Sequence, residues 1–246
     1  MTDVAEAPSG ASALALRRSS CGGLHARVAG ARVTLRCPGA AWLLGARALV
    51  VADLHFEKGS AYAARGQMLP PFDTRDTLLR LEAEVQRISP DVLVFLGDSF
   101  HDGEAEARID SDDARRIAEL ARGRTLIWVV GNHDEDGPQA LPGEVVDALE
   151  LDGLKLVHEP SAGAAPGEVA GHLHPAAKVV AHRSGVRSRC FLTDGERLIL
   201  PAFGAYAGGL NVRDAAFAPL FARRPTACAL GRDKVHALLW DSLAAD

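Results

Sequence analysis

Three apolar runs in the first 135 residues each end abruptly in residues that resist burial. "ALVVADLH" reaches Asp53 and His55, "DVLVFLGD" reaches Asp98, and "TLIWVVGNHD" reaches Asn132, His133 and Asp134. Each run has the length and β-branched content of a core strand. Side chains such as Asp, His and Asn are costly to bury without partners. Placed at successive strand ends, they constrain the fold to one in which several strands deliver polar groups to a common edge. In open α/β sheets, ligands sit at the carboxyl ends of the strands.

The segments between the runs fit such a fold. Residues 73–88, "DTRDTLLRLEAEVQRI", predict an amphipathic helix with Leu78, Leu81, Val85 and Ile88 on one face and Asp73 or Thr74 as its cap. "SDDARRIAELARG" predicts a second helix, capped by Ser111 or a neighbouring Asp and stopped near Gly123. A third helix is expected around 142–149. "ARVTLRC" and "AWLLGARALVVADLH" read as strands, the latter a hairpin turning at Gly45. Beyond Leu151 short strands dominate: "LKLVHEP", "GEVAGHLHP", "AKVVAH", "RCFLTDGERLILPA" with a turn at Asp194-Gly195, and "KVHALLW". The expectation is an N-terminal tail over 1–25 and one domain over 26–246 with two sheet-rich halves.

The second half repeats the pattern of the first. His158 ends "KLVH", and His172 and His174 end "VAGHLH". On extended strands D-x-H and H-x-H put both members on one face. Either motif alone is weak, because D-x-H arises by accident and H-x-H describes two surface histidines equally well. Together they form a set of Asp, His and Asn ligands suited to Mn, Fe or Zn. No thiolate belongs to the set, which argues against a structural zinc of the cysteine type. His25, His182 and His236 lack such a context.

Composition excludes several classes. Nearly half of the 246 residues are hydrophobic, so a packed core is expected. No apolar run reaches the roughly 18–20 residues of a membrane span. The four scattered cysteines form no CxxC pair and read as reduced thiols in the cytoplasm. The net charge of −5 argues against non-specific nucleic-acid binding over a globally basic surface. A local basic strip remains in "AHRSGVRSR", with Arg183, Arg187 and Arg189. A solvated hairpin explains it equally well.

The ordered set Asp53-x-His55, Gly97-Asp98, Gly131-Asn-His-Asp134, His158 and Gly171-His-x-His174 resembles the calcineurin-like metallophosphoesterases. The resemblance covers about residues 45–175. It implies a four-layer αββα sandwich, two mixed sheets flanked by helices, and two divalent metals, manganese foremost. Carried over residue by residue, it gives Asp53, His55 and His174 to one metal and Asn132, His158 and His172 to the other, with Asp98 bridging. His133 would face substrate as the proton donor while the metals activate a bridging hydroxide. Where many members have a second Asp that orients this histidine, the chain has His101 followed by Asp102. Asp102 or a backbone group takes that role, or His133 is less basic than usual; a plain surface role for Asp102 is equally open. Lys58 and Arg65 are phosphate contacts or solvated cations.

"ADLHFEKG", "LGDSFHD", "GNHD", "GHLHP" and "LPAFGAYAGGLNV" further resemble the ligase-associated DNA damage response endonucleases (PdeM-like). That resemblance implies DNA as substrate, a repair role, and a helicase and a DNA ligase as partners. Two other readings stand beside it: a phosphoesterase of nucleotides or other small phosphoesters, and a catalytically weak, metal-bound binding module. The sequence leaves homo-oligomerisation open.

Overall fold

The computed structural model describes residues 16–181 and 184–246. Eight strands form the first sheet in sequence order. They are β1 (Arg17–Arg18), β2 (Leu24–Val28), β3 (Ala31–Leu35), β4 (Ala41–Leu43), β5 (Ala48–Ala52), β6 (Val92–Leu96), β7 (Thr125–Val129) and β8 (Glu144–Val146). Nine more build the second sheet: β9 (Leu149–Leu151), β10 (Leu154–Val157), β11 (Glu168–Ala170), β12 (Pro175–Ala181), β13 (Ser184–Thr193), β14 (Leu198–Ile199), β15 (Leu210–Asn211), β16 (Thr226–Leu230) and β17 (Val235–Leu238). Helices α1 (Lys58–Ala64), α2 (Asp73–Ile88), α3 (Ala105–Arg108) and α4 (Ser111–Ala121) belong to the first half.

Strand alternation sorts the core into layers. In β5, Ala48, Val50 and Ala52 face the second sheet, where Leu156, Val169, Phe191 and Leu198 meet them. Leu49 and Val51 face the other way, beneath Leu78, Leu81 and Val85 of α2. Ile117 and Leu120 of α4 join that outer layer. The far side of the second sheet is covered by the 3-10 segment Ala215–Leu220, through Phe217 and Leu220, and by Leu243 near the C-terminus. This is the expected sandwich of two mixed sheets flanked by helices.

Strands β5 to β8 run parallel, so the chain leaves β5, β6 and β7 at the same edge. Strands β10, β11 and β14 are also parallel. A parallel bridge between Ala52 and Ala202 ties the two sheets together at that edge.

Several expectations need correction. Residues 142–149 form no helix. Gly143 adopts φ 134°, and a Cβ there would lie 2.3 Å from Nε1 of Trp128. The Trp128 indole donates to the Pro142 carbonyl at 2.9 Å, which holds the segment extended so that β8 pairs with β7. The expected tail is structured in its latter part: residues 1–15 lie outside the described residues, but β1 pairs with β2. Exposed Arg17 and Arg18 carry no apolar alternation, so only backbone pairing marks that strand. For helix α4 the expected neighbouring Asp, rather than Ser111, is the cap: Asp110 accepts from the Asp112 amide at 2.8 Å. Neither Asp73 nor Thr74 caps α2, whose N-cap position is Phe72.

Candidate metal centre

Asp73 and Thr74 instead fasten the loop that follows His55. Asp73 accepts from the Gly59 amide at 3.1 Å. Thr74 Oγ1 accepts from the Glu57 amide and donates to the Glu57 carboxylate, both at 2.8 Å. Both residues are buried.

The paired motifs do not lie on extended strand. β5 ends at Ala52 and β11 at Ala170. Asp53 (φ 54°), His55 (46°), Asp98 (44°), His172 (66°) and His174 (46°) all adopt left-handed backbone. Alternate left-handed residues, rather than β alternation, turn both members of each pair inward. Non-glycine residues held there cost about 1–3 kcal/mol each, and such strain concentrates at functional sites. Three glycines make the crowding tolerable. A Cβ at Gly97 would lie 2.1 Å from Nδ1 of His158, one at Gly131 2.3 Å from Asp98 Oδ1, and one at Gly171 2.6 Å from Asp53 Oδ2.

Among the described residues, two groups converge with metal-ligand spacing. Asp53, His55 and His174 form one, and Asp98, His158 and His172 the other. Within the first, His55 Nε2 faces His174 Nε2 at 3.3 Å, and Asp53 Oδ1 lies 3.3 Å from His174 Nε2. Within the second, His158 Nε2 is 3.3 Å from Asp98 Oδ1 and 3.1 Å from His172 Nδ1. Asn132 Oδ1 joins the second group, 3.0 Å from His158 Nε2. Asp98 turns its other oxygen to the first group, with Oδ2 3.9 Å from His55 Nε2. All seven expected ligands are thus gathered, and Asp98 stands between the halves.

Burial, reinforced by the neighbouring His174, pushes the His55 pKa down to about 2. Burial likewise lowers that of His158, against the pull of Asp98 and Asp53. Neutral imidazoles keep a lone pair for a metal, and two ring nitrogens 3.3 Å apart suit two ligands of one ion, each at about 2.0–2.1 Å from it. The donor set therefore fits two divalent ions.

His133 lies at the rim, 43% exposed, with Nε2 3.9 Å from Asp98 Oδ2. Its Nδ1 meets the His101 carbonyl oxygen at 3.1 Å. The carboxylate of Asp102 is engaged elsewhere, accepting from Arg108 Nη2 at 2.8 Å and from the Glu104 amide at 3.1 Å. The backbone alternative is the one formed. The His101 ring stacks on His133, with centroids 5.8 Å apart and planes 15° from parallel.

Asp134 is the motif residue to which sequence reading gave no role. It is buried, and its carboxylate accepts from the amides of Gly131 (2.9 Å), Ser99 (2.7 Å) and Phe100 (3.2 Å). It thereby clamps the turn after β7 to the loop after β6, where the His133 amide donates to Asp98 Oδ1 at 3.0 Å. Burial raises its pKa to about 6. The available signal was its place as the last residue of Gly-Asn-His-Asp.

The expected substrate contacts divide. Lys58 opens α1, and its charge, like that of Arg65, acts on the His101 side of the site. Arg187 pairs with Asp246 at 2.8 Å. Arg189 donates to the carbonyls of Ala202 (2.8 Å) and Gly204 (3.2 Å). The amides of Phe203 and Gly204 donate to Ala52 O (2.8 Å) and Asp53 O (3.1 Å), so Arg189 braces the loop against which Asp53 rests. The basic strip is a structural clamp at Arg189 and an ion pair at Arg187, and Arg183 lies outside the described residues.

Comparison with known proteins agrees with this geometry. The model of the family described as Calcineurin-like phosphoesterase matches residues 46–184, over half of the chain. The chain belongs to the calcineurin-like phosphoesterase family. It is similar to the Pseudomonas putida nuclease MPE, with 29% identity and a TM-score of 0.70 over 88% of this chain and 100% of that one. The phosphoesterase YfcE from E. coli also matches, with 15% identity and a TM-score of 0.37 over 78% of this chain and 97% of that one. No curated protein sequence matches significantly. The protein is a metallophosphoesterase, a hydrolase with two candidate divalent-metal sites. Among the described residues, no helix is long and apolar enough to cross a membrane.

Proposed function

We propose that the protein is a cytoplasmic metal-dependent phosphodiesterase that cleaves DNA in repair, with manganese as its metal. The observation that carries the hydrolytic reading is the placement of Asp98 between two groups of ligands, with His133 facing the same space. A nucleic-acid substrate is supported by similarity to a nuclease over the whole length of that protein, and DNA by the motif resemblance. A helicase and a DNA ligase as partners rest on the motif resemblance.

Asp53, His55 and His174 would hold one divalent ion, Asn132, His158 and His172 the other, and Asp98 both. Such a pair supplies an activated water and stabilises charge on the phosphoryl oxygens. The remaining work falls to the chain. The His101 carbonyl can only accept, so it keeps a proton on Nδ1 of His133. Nε2 then carries a proton only in the imidazolium, and from there it can protonate the leaving alkoxide. Asp134, Gly97 and Gly131 position the ligands. Lys58 and Arg65 are the cations offered to phosphate. The cavity of about 480 Å³ beside His133 is lined by Asp102, Glu106, Glu135 and Asp136, so a polyanion approaches from the α1 side.

One observation favours the small-phosphoester reading: Arg187 and Arg189 are occupied within the protein. Hydrolysis by manganese-loaded protein decides between the two. The panel is bis-p-nitrophenyl phosphate, p-nitrophenyl phosphate, nucleotides, and single- and double-stranded DNA. DNA cleavage, with DNA competing against the small diester, is the expected result. Turnover of nucleotides without DNA cleavage moves the small-phosphoester reading ahead, and absence of turnover on every substrate leaves a binding module.

A further inference from the structure

A cleft of about 690 Å³, larger than the cavity beside His133, is built from other elements. It lies where the β1–β2 turn, the β3–β4 turn, the side of α2 and the β16–β17 turn meet. Gly22 makes the junction possible. It adopts φ 84°, and a Cβ there would lie 2.1 Å from the Asp233 carbonyl oxygen. The Val235 amide donates to Gly22 O at 2.9 Å, which locks the two turns together.

The lining reverses the sign of the chain. Arg18, Arg80, Arg87, Arg232 and Lys234 face the cleft, against Glu84 and Asp233. Glu84 is already held by buried Arg36 at 2.7 Å and by Arg87 at 3.3 Å. Among the described residues, Arg18, Arg232 and Lys234 form no ion pair. In a protein of net charge −5, cations gathered in a concavity focus a positive field that favours an anionic ligand. Arginine suits oxyanions of phosphate geometry, because its planar fork donates in pairs. Pro38 and Val235 add apolar wall, and the volume lies within the usual range of small-ligand sites.

We propose that this cleft is a second anion site that binds a phosphate-bearing ligand, carried either on a free nucleotide or along a nucleic-acid strand. It involves none of the metal ligands and does not depend on the substrate assigned to the metal centre. Turnover of bis-p-nitrophenyl phosphate reports on that centre separately.

The test uses metal-loaded protein and two probes, AMP and a fluorescent, hydrolysis-resistant phosphorothioate dodecathymidylate. Wild type is compared with the triple variant Arg18→Glu/Arg232→Glu/Lys234→Glu. At least one probe is expected to bind wild type and to bind the variant at least ten-fold more weakly, with small-diester turnover retained. If the strand is the ligand, the slope of log affinity against log salt falls by about two, three contacts at ~0.7 each. If AMP alone is affected, the ligand is a free nucleotide. Equal binding to wild type and variant, or no binding of either probe to wild type, overturns the proposal. A second measurement needs no variant. Cys21 lines the cleft and accepts from Arg36 Nη1 at 2.9 Å. Burial opposes its ionisation, but the Ser19 hydroxyl and Arg36 prevail and hold its pKa below the ordinary thiol value. Iodoacetamide labelling of Cys21, read by peptide mass spectrometry, should slow at least five-fold when the binding probe saturates the protein. Labelling unchanged by a bound probe places that probe elsewhere and refutes the site.

Discussion

Replacing Arg189 by Ala separates a clamp from a phosphate contact. One guanidinium nitrogen spans the carbonyls of Ala202 at 2.8 Å and Gly204 at 3.2 Å, with Phe203 O more distant at 3.4 Å. Burial lowers the Arg189 pKa, as expected for a cation drawn out of water. Two charge-assisted bonds at the low end of their range, ~1.5 kcal/mol each, give a loss of about 3 kcal/mol. Phe203 O keeps its 2.7 Å bond from Arg80, which limits the damage to one side of the loop. For a chain of this length the loss lowers Tm by about 6–12 °C. Because the loop backbone holds Ala52 O and Asp53 O, cleavage of DNA and of bis-p-nitrophenyl phosphate should fall by the same factor. Calorimetry and parallel kinetics on the two substrates check this. Loss of DNA cleavage alone, at unchanged Tm and unchanged diester turnover, would make Arg189 a phosphate contact and refute the clamp. Arg187→Ala is the control. Its pair with Asp246 is solvent-exposed and screened, so Tm and small-diester turnover should stay near wild type.

Asp98→Asn should sharply lower occupancy of both metals and nearly abolish hydrolysis, since one carboxylate faces both groups; metal analysis of the purified variant reads this directly. His133→Ala should retain both metals and lose on the order of 10²–10⁴-fold in turnover on substrates with poor leaving groups, but much less with a nitrophenolate leaving group. An equal loss on both would remove the proton-donor role. Asp134→Ala strands three amides, each costing about 1–3 kcal/mol when left unpaired, so a Tm within 2 °C of wild type would contradict the clamp. Gly97→Ala drives a Cβ into the His158 ring and should lose activity along with stability, measured by turnover and thermal unfolding.

Much of the centre was legible in the sequence. Apolar runs of strand length ending in Asp53, Asp98 and Asn132 show where strands stop, because a buried strand cannot tolerate those side chains without partners. The existence and buried face of helix α2 were legible, since its apolar stripe has helical period from Leu78 to Val85, although its cap was not. All seven candidate ligands were also named from the sequence, through the order of motifs that resembles the family, and the structure gathers them. What it could not decide is whatever depends on residues distant along the chain. Within 142–149, Glu144–Val146 became strand because Trp128 and the open edge of β7 claimed it. The paired motifs turned inward through left-handed backbone, in surroundings where Gly97, Gly131 and Gly171 leave no room for a Cβ. Arg189 has the same local sequence whether it meets phosphate or the carbonyls of Ala202 and Gly204; only the approach of a loop more than ten residues away made it a brace. Asp102 and the His101 carbonyl are adjacent in the chain, and the packing of Arg108 against Asp102 left the carbonyl to meet His133. Residue type is local and can be read directly, whereas the partner that satisfies a polar group is chosen by tertiary packing, through the cost of leaving any buried donor or acceptor unpaired.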